Sequence, residues 1–301
     1  SYEESAPIVE NFSFKKYELK IACTAGLCYA LNGHFSQGLG LLDAIQKHCL
    51  ANDDRLTIIE EVNIHLACLM IQLYRHDEAI SYLSDYIQTV DEGGHGAIRA
   101  KLLLSHAYYL KGQMSEAFHH LKYVIERRQA VRVPVISNDA WFKMCQAMEE
   151  GELPQVEGIR LEDEIQHYLS EKNILMKGMA YRYQAYLHER KGESHQKIIE
   201  TLATSSQLLE EAGAIFEQCR TLGALHRQYM LLRDQRAAGE IKDAIVKILG
   251  SFSKDYIPRD LRKFVDAHPR NWESLVEEIL ILSQDMSTIR EEKQLMQTII
   301  S

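Results

Sequence analysis

The stretch Ala97–Glu126, AIRAKLLLSHAYYLKGQMSEAFHHLKYVIE, contains two helical patterns separated by a short polar turn. In its first half, Ala107 and Tyr108 follow Leu104 by three and four residues, a spacing that places all three on one face of a helix. The half beyond the turn repeats this spacing. Because the turn at Gly112 is short, the stretch predicts two antiparallel helices that pack against each other.

Similar helix–turn–helix patterns occur before and after this stretch. The turns are expected near Gly33, Tyr74, Gly112, Gly151, Gly192 and Arg233. The small residues that follow the first three turns, Gly38, Ala79 and Ala117, lie roughly 40 residues apart, which is within the range of helix-pair repeats. Neither helix of such a pair can bury its apolar face alone. Stacking of the pairs is therefore required, and the sequence predicts an all-α solenoid.

The same positions resemble the tetratricopeptide signature of a small residue, an aromatic residue, a glycine and a second small residue at steps of three, four and five. The matching sets are Gly26, Tyr29, Gly33 and Gly38, and Ser105, Tyr108, Gly112 and Ala117. The resemblance implies a tetratricopeptide-like α-solenoid of about six helical hairpins, followed by a capping helix and a heptad helix.

The repeat array is expected to span residues 15–250, after a lead-in at 1–14 and before a capping segment at 251–271. Residues 272–301 differ in kind, because their apolar positions alternate at steps of four and three, with Lys293 where one more apolar residue is expected. These positions are Leu275, Ile279, Leu282, Met286, Ile289, Met296 and Ile300. A heptad pattern of this type predicts a helix that pairs with its own copy, so we expect a homodimer. The alternative is that this helix caps the array.

Charge and cysteine usage exclude several classes of protein. The chain has 34 basic and 43 acidic residues and a net charge of −9, which argues against direct contact with nucleic acid or anionic lipid. Its six cysteines show no paired short spacing, so neither a disulfide framework nor a zinc module is expected. The cysteines fit a cytoplasmic location, and no apolar run approaches the roughly 20 residues that span a bilayer.

No catalytic, cofactor or metal site is expected from the sequence. Five histidines are candidate metal ligands but lack the spacing of a metal site, namely His106, His119, His120, His188 and His195. The glycines at 93–96 lack the Lys-Ser/Thr that follows a phosphate-binding loop, and no GxSxG nucleophile motif occurs. We therefore expect a protein that is not an enzyme.

A binding surface is instead expected on the inner, concave side of the array, which the first helix of each pair lines. The residues predicted there are Glu61, Ile64, Cys68, Arg99, Leu102, His106, Tyr109, Asn138, Trp141, Arg182, Tyr186 and Glu189. Aromatic and arginine side chains are typical of binding hot spots. For Ile64, Leu102 and Trp141, ordinary packing is an equal alternative.

The order of repeats, capping helix and heptad helix resembles the segment that precedes a GAF domain in bacterial signalling proteins. That resemblance, carried by residues 279–289, implies a parent of the sigma-54-dependent activator type or a large multidomain kinase. The expected function is a non-enzymatic sensor domain that binds a protein or peptide and acts on an output domain. The alternatives are a stand-alone scaffold for complex assembly and a peptide-sensing quorum-type regulator.

Overall fold

The computed structural model describes residues 16–51, 55–88, 94–131 and 139–266. These residues form α-helices and one short 3-10 helix, and no strand occurs among them. The all-α fold class predicted from the sequence is confirmed. The lead-in at 1–14 and the predicted heptad residues lie outside the described residues, namely Leu275, Ile279, Leu282, Met286, Ile289, Met296 and Ile300.

Successive helices of the described chain pack in adjacent pairs. The first three pairs are α1 (Lys16–Leu31) with α2 (Phe35–Ala51), α3 (Arg55–Gln72) with α4 (His76–Ile87), and α5 (His95–Leu110) with α6 (Met114–Val131). The next three are α7 (Ala140–Glu149) with α8 (Leu161–Ser170), α9 (Ile174–Arg190) with α10 (His195–Glu211), and α11 (Ile215–Leu231) with α12 (Gln235–Leu249). A 3-10 turn at Lys254–Tyr256 leads to α13 (Arg259–Asp266).

One backbone conformation ends the first helix of every pair. The residues with positive φ at these ends are Gly33, Tyr74, Gly112, Gly151, Gly192 and Arg233. After Gly112, for example, the Gln113 amide donates to the Tyr108 carbonyl oxygen at 2.9 Å, which satisfies a carbonyl that the helix end would leave unpaired. Each turn predicted from the sequence therefore lies between the two helices of one pair.

Small residues let the paired helices approach closely. In the third pair, the Ser105 hydroxyl donates to the Ala117 carbonyl oxygen at 2.8 Å, so the side chain of α5 reaches the backbone of α6. In the first pair, a Cβ atom added to Gly38 would lie 2.4 Å from the Gly26 carbonyl oxygen. Small residues therefore bring the two backbones together in both the third and the first pair.

Among the described residues, two of the apolar clusters that form the core lie between neighbouring pairs. The larger one joins α5 to α10 around Trp141 and Phe142, both of which are completely buried. The smaller one joins α3, α4 and α5 around Leu83 and Leu104.

Among the described helices, none combines the length and the apolar character that a bilayer-crossing segment needs.

The first and sixth pairs also contact each other, which the repeat pattern does not predict. The Phe35 ring at the start of α2 lies 5.3 Å from the Phe216 ring in α11 and stacks at 5.6 Å on Tyr256. Phe216 in turn lies 5.5 Å from Phe252. Repeats that contact only their neighbours would lack these contacts. These contacts between the first and sixth pairs lie within one compact unit, which includes the described residues up to Arg262.

Candidate binding site

A network of buried charges joins α7, α9 and α11. The Arg182 Nη2 atom in α9 lies 2.7 Å from the Asp139 Oδ1 atom, just before α7, and 2.6 Å from the Glu217 Oε2 atom in α11. The Tyr183 hydroxyl donates to the same Asp139 oxygen at 2.7 Å. These bonds fix the first helices of three consecutive pairs against one another.

Glu217 extends the network to α3 and α13. Its Oε1 atom lies 2.5 Å from Arg220 Nη1 and accepts a hydrogen bond at 3.1 Å from the side-chain amide of Gln72, the last residue of α3. The Arg220 Nε atom lies 2.8 Å from Asp260 Oδ2 at the start of α13. Both arginines therefore share one carboxylate, that of Glu217.

The charges in this network keep one another ionised. Burial alone would raise the pKa of Asp139, but the positive charges of Arg182 and Lys143 outweigh it and hold that pKa well below its usual range. Burial would lower the pKa of Arg182, whereas Glu217 and Asp139 raise it above the usual value. Both oxygens of Glu217 are held by arginines, so this carboxylate joins the helices that carry them.

An open cavity of about 170 Å³ lies beside the network, between α7, α9, α10 and α11. The polar part of its wall consists of Lys143, Gln146, Tyr186, Glu189, Arg227 and Gln228. Ile198 and Leu202 of α10 supply apolar wall, and Arg182 belongs to the wall as well as to the charge network. An occupant of the cavity would therefore contact the network directly.

Most polar groups of the cavity wall are already paired. The Arg227 Nη2 atom lies 2.6 Å from Glu189 Oε2, and the Gln228 side-chain amide donates to Glu189 Oε1 at 3.2 Å. The oxygen of Gln228 lies 2.9 Å from His195 Nδ1. The Tyr186 hydroxyl donates to Glu150 Oε1 at 2.7 Å. Glu189 and Gln228 thus hold the α11 side of the cavity in place.

Three of the residues predicted to face a partner line this cavity, namely Arg182, Tyr186 and Glu189. Three other polar residues that were predicted to face a partner, Glu61, Arg99 and Tyr109, do not line the cavity. Arg99 Nη1 lies 3.1 and 2.9 Å from the two carboxylate oxygens of Glu61, which links α5 to α3. The Tyr109 hydroxyl donates to Glu152 at 2.5 Å.

Four other predicted positions are covered by neighbouring helices. Ile64 and Leu102 are 2% exposed and Trp141 is 0% exposed. The prediction that these three side chains face a partner is therefore wrong, and they are ordinary packing residues. His106 is buried as well, and burial lowers its pKa to about 4. For Leu102 and His106 the reason is that α5 is enclosed by α3, α4, α6 and α7. Ile64 packs in the smaller apolar cluster and Trp141 in the larger one.

Cys68 is half-buried against the smaller core cluster. Asn138 lies outside the described residues.

Four polar residues of the cavity wall were not predicted from the sequence, namely Lys143, Gln146, Arg227 and Gln228. A signal for Arg227 was present, because His106 and Tyr186 both lie six residues before the positive-φ residue of their turns, and Arg227 holds that position in the sixth pair. Extending the register to that pair would have identified it. Lys143 carries no such signal, since it lies eight residues before Gly151 and none of the predicted residues holds the corresponding position in another pair.

Among the described residues, no group of three or more His, Cys, Asp or Glu side chains is arranged to hold a metal ion. In comparisons with known proteins, no family model, no curated protein and no solved structure matches the chain.

Proposed function

We propose that this chain is a non-enzymatic, tetratricopeptide-like repeat domain that binds a segment of a protein or peptide in the cavity between α7, α9 and α11. The observation that carries the proposal is the convergence of side chains from the first helices of three consecutive pairs on one cavity. Helical repeat arrays bind extended segments on the face that their first helices form.

The size and the chemistry of the cavity favour one anchoring side chain over a whole metabolite. A volume of about 170 Å³ is smaller than the roughly 300–1,000 Å³ of pockets that enclose small molecules. The wall offers Tyr186, Arg182 and Arg227, and tyrosine and arginine are enriched in binding hot spots. A peptide that inserts one residue here would have the rest of its length outside the cavity.

The proposal includes a regulatory role. Arg182 lines the cavity and also binds Glu217, which holds Arg220 and Gln72. An occupant that shifts Arg182 would change the contact between α11 and α3 through residues already in contact, and two arrangements of this contact would serve as the switch. A cytoplasmic parent with an output domain, of the bacterial regulator or signalling type, fits this role.

Binding is tested by selecting peptides from a random library against the chain and measuring their dissociation constants by fluorescence anisotropy. Tyr186→Ala should weaken binding at least tenfold, since it removes an aromatic wall of the cavity. Tyr181→Ala is the matched control, because Tyr181 lies on the same helix outside the cavity lining. Equal losses in the two variants, or a library without binders, would contradict the proposal.

Homodimerisation through the heptad segment is a separate part of the proposal. Leu282 is one of its predicted apolar positions, and an aspartate there would place a charge in a coiled-coil seam. Sedimentation equilibrium should give a dimer for the chain and a monomer for Leu282→Asp. Monomers in both samples would exclude this part while leaving peptide binding untouched.

A further inference from the structure

We infer that the hairpin of α5 and α6 carries a second binding site, which takes a phosphate monoester through Lys101 and Arg127. Lys101 of α5 forms this site together with His119, His120, Tyr123 and Arg127 of α6, and we call the five residues the hairpin patch. None of them lines the cavity between α7, α9 and α11. Most of the patch belongs to a second helix, so it lies apart from the face that the first helices form.

Two cations of the patch lie over one aromatic ring. Lys101 Nζ is 4.6 Å and the Arg127 guanidinium carbon is 5.5 Å from the centre of the Tyr123 ring. Among the carboxylates that the structure describes, none forms an ion pair with either cation. Glu126, next to Arg127 along the chain, instead lies 3.9 Å from Lys122 Nζ. Both charges of the patch are therefore available to an anion.

The imidazoles of the patch lie in a positive environment. The His120 ring stacks on Tyr108 at 5.5 Å, and the centre of the His119 ring is 5.2 Å away. Burial is the main cause that lowers the pKa of His120 to about 4, and Lys101 and His119 lower it further. No carboxylate opposes this shift. The patch is thus a region of positive potential in a chain whose net charge is −9.

Two polar atoms of the patch are enclosed without a hydrogen-bond partner, namely His120 Nδ1 and the Tyr123 hydroxyl oxygen. Buried polar groups are nearly always paired in native proteins, and each of these two can donate one hydrogen bond. Oxygens of an anion held by Lys101 and Arg127 would supply the missing acceptors. His119 and Arg127 are exposed and Tyr123 is half-buried, so the patch is open to solvent on one side.

The donors of the patch fit a phosphate better than a carboxylate. A phosphate monoester has three terminal oxygens and nearly two negative charges at neutral pH, whereas a carboxylate has two oxygens and one charge. A guanidinium donates two parallel hydrogen bonds to such a group, and an ammonium adds a compact charge. Two cations and two neutral donors match this number of oxygens. A phosphorylated side chain and a free phosphate share this chemistry.

The test has two arms, both with the full chain. In the first, a fluorescein-labelled octapeptide of glycine and serine with one central phosphoserine is compared with the same peptide without the phosphate, by fluorescence anisotropy. The phosphopeptide should bind at least tenfold more tightly, and added salt should reduce the difference. In the second arm, isothermal titration calorimetry measures the binding of inorganic phosphate.

Variants at the two cations identify the contacts. Lys101→Gln and Arg127→Gln should each weaken phosphate binding at least tenfold, since each removes a charged donor. Lys122→Gln is the matched control, because Lys122 is an exposed lysine of the same helix that is paired with Glu126. It should leave the affinity unchanged. Denaturation midpoints of the variants confirm that each one is folded.

Tyr123→Phe separates binding from packing. It removes only a hydroxyl that has no partner within the fold, so without a ligand the denaturation midpoint should not fall. The same variant should weaken phosphate binding about fivefold, because one donor is lost. A lower midpoint with unchanged binding would contradict the inference, since it would assign the hydroxyl a purely structural role.

The outcomes also identify the source of the phosphate. A preference for the phosphopeptide that depends on Lys101 and Arg127 assigns the site to a phosphorylated side chain. Binding of inorganic phosphate alone, with the same dependence, assigns it to a free phosphate. No binding in either arm, or binding that survives both Lys101→Gln and Arg127→Gln, would overturn the inference. Tyr186→Ala should leave phosphate affinity unchanged, so this inference and the proposed function can fail separately.

Discussion

Arg220 in α11 donates a hydrogen bond from Nη1 to the Gln72 side-chain oxygen at 2.6 Å, although 148 residues separate the two along the chain. The bond connects the second helix pair to the sixth. Together with the contact between Phe35 and Phe216, it makes the early and late parts of the described chain depend on each other. Loss of a residue at this junction should therefore destabilise more than one pair.

Glu217→Ala should lower the free energy of unfolding by about 3–5 kcal/mol, because it leaves two largely buried arginines without their shared carboxylate. Urea denaturation followed by circular dichroism measures the change. Glu240→Ala is the control, since Glu240 forms an exposed pair with Arg236 within one helix, and it should cost less than about 1 kcal/mol. Similar effects in the two variants would show that the network contributes little to stability.

The helix pairs could be predicted from the sequence because their signals are local. Glycine at positions 33, 112, 151 and 192 marks the helix ends, since glycine adopts positive φ without the steric cost of a side chain. The turns at Tyr74 and Arg233 have the same conformation without glycine, and there the apolar spacing alone predicted them. The contact between the first and sixth pairs has no local signal, and the sequence did not predict it.

The candidate site was only partly predictable for a related reason. Helical spacing indicates which residues share a face, but not how many neighbours cover that face. Arg182 and Tyr186 proved to line the cavity, whereas Trp141 is enclosed by the larger core cluster. Lys143 was not predicted because its place in the cavity wall depends on residues of α9, α10 and α11, which the pattern of α7 alone does not indicate.

Gly33→Ala should be more destabilising than Gly112→Ala, although both glycines have positive φ. The alanine at 112 would meet nothing within 4 Å and should cost about 1–2 kcal/mol from backbone strain alone. At position 33 the added Cβ would lie 1.7 Å from a ring atom of Phe252, so displacement of that ring should add about 1–3 kcal/mol. Equal losses in thermal or urea denaturation would contradict the packing of Phe252 on the first turn.

Two glycines inside helices should respond to alanine in opposite directions. Gly38→Ala would place a Cβ atom 2.4 Å from the Gly26 carbonyl oxygen, and because backbone cannot move aside easily, we expect a loss of about 1–3 kcal/mol. Gly239→Ala meets open space in α12 and should gain about 0.5–1 kcal/mol from helix propensity. Free energies of unfolding from urea titrations test both signs, and a stable Gly38→Ala variant would contradict the close approach of α1 and α2.

The stability of the fold should decrease as the pH falls from about 6.5 to about 5. Burial is the main cause that lowers the pKa of His65 and of His106 to about 4, whereas in the unfolded chain each titrates near 6.5. The unfolded state therefore binds more protons in this interval, and each histidine should contribute up to about 1.4 kcal/mol of lost stability per pH unit.

Carboxylates titrate mostly below this interval, so the slope of unfolding free energy against pH reports the histidines. His65→Gln should reduce that slope, whereas His95→Gln, which alters an exposed ring at the start of α5, should not. A flat profile above pH 5 in the unmodified chain would contradict the burial of these two rings.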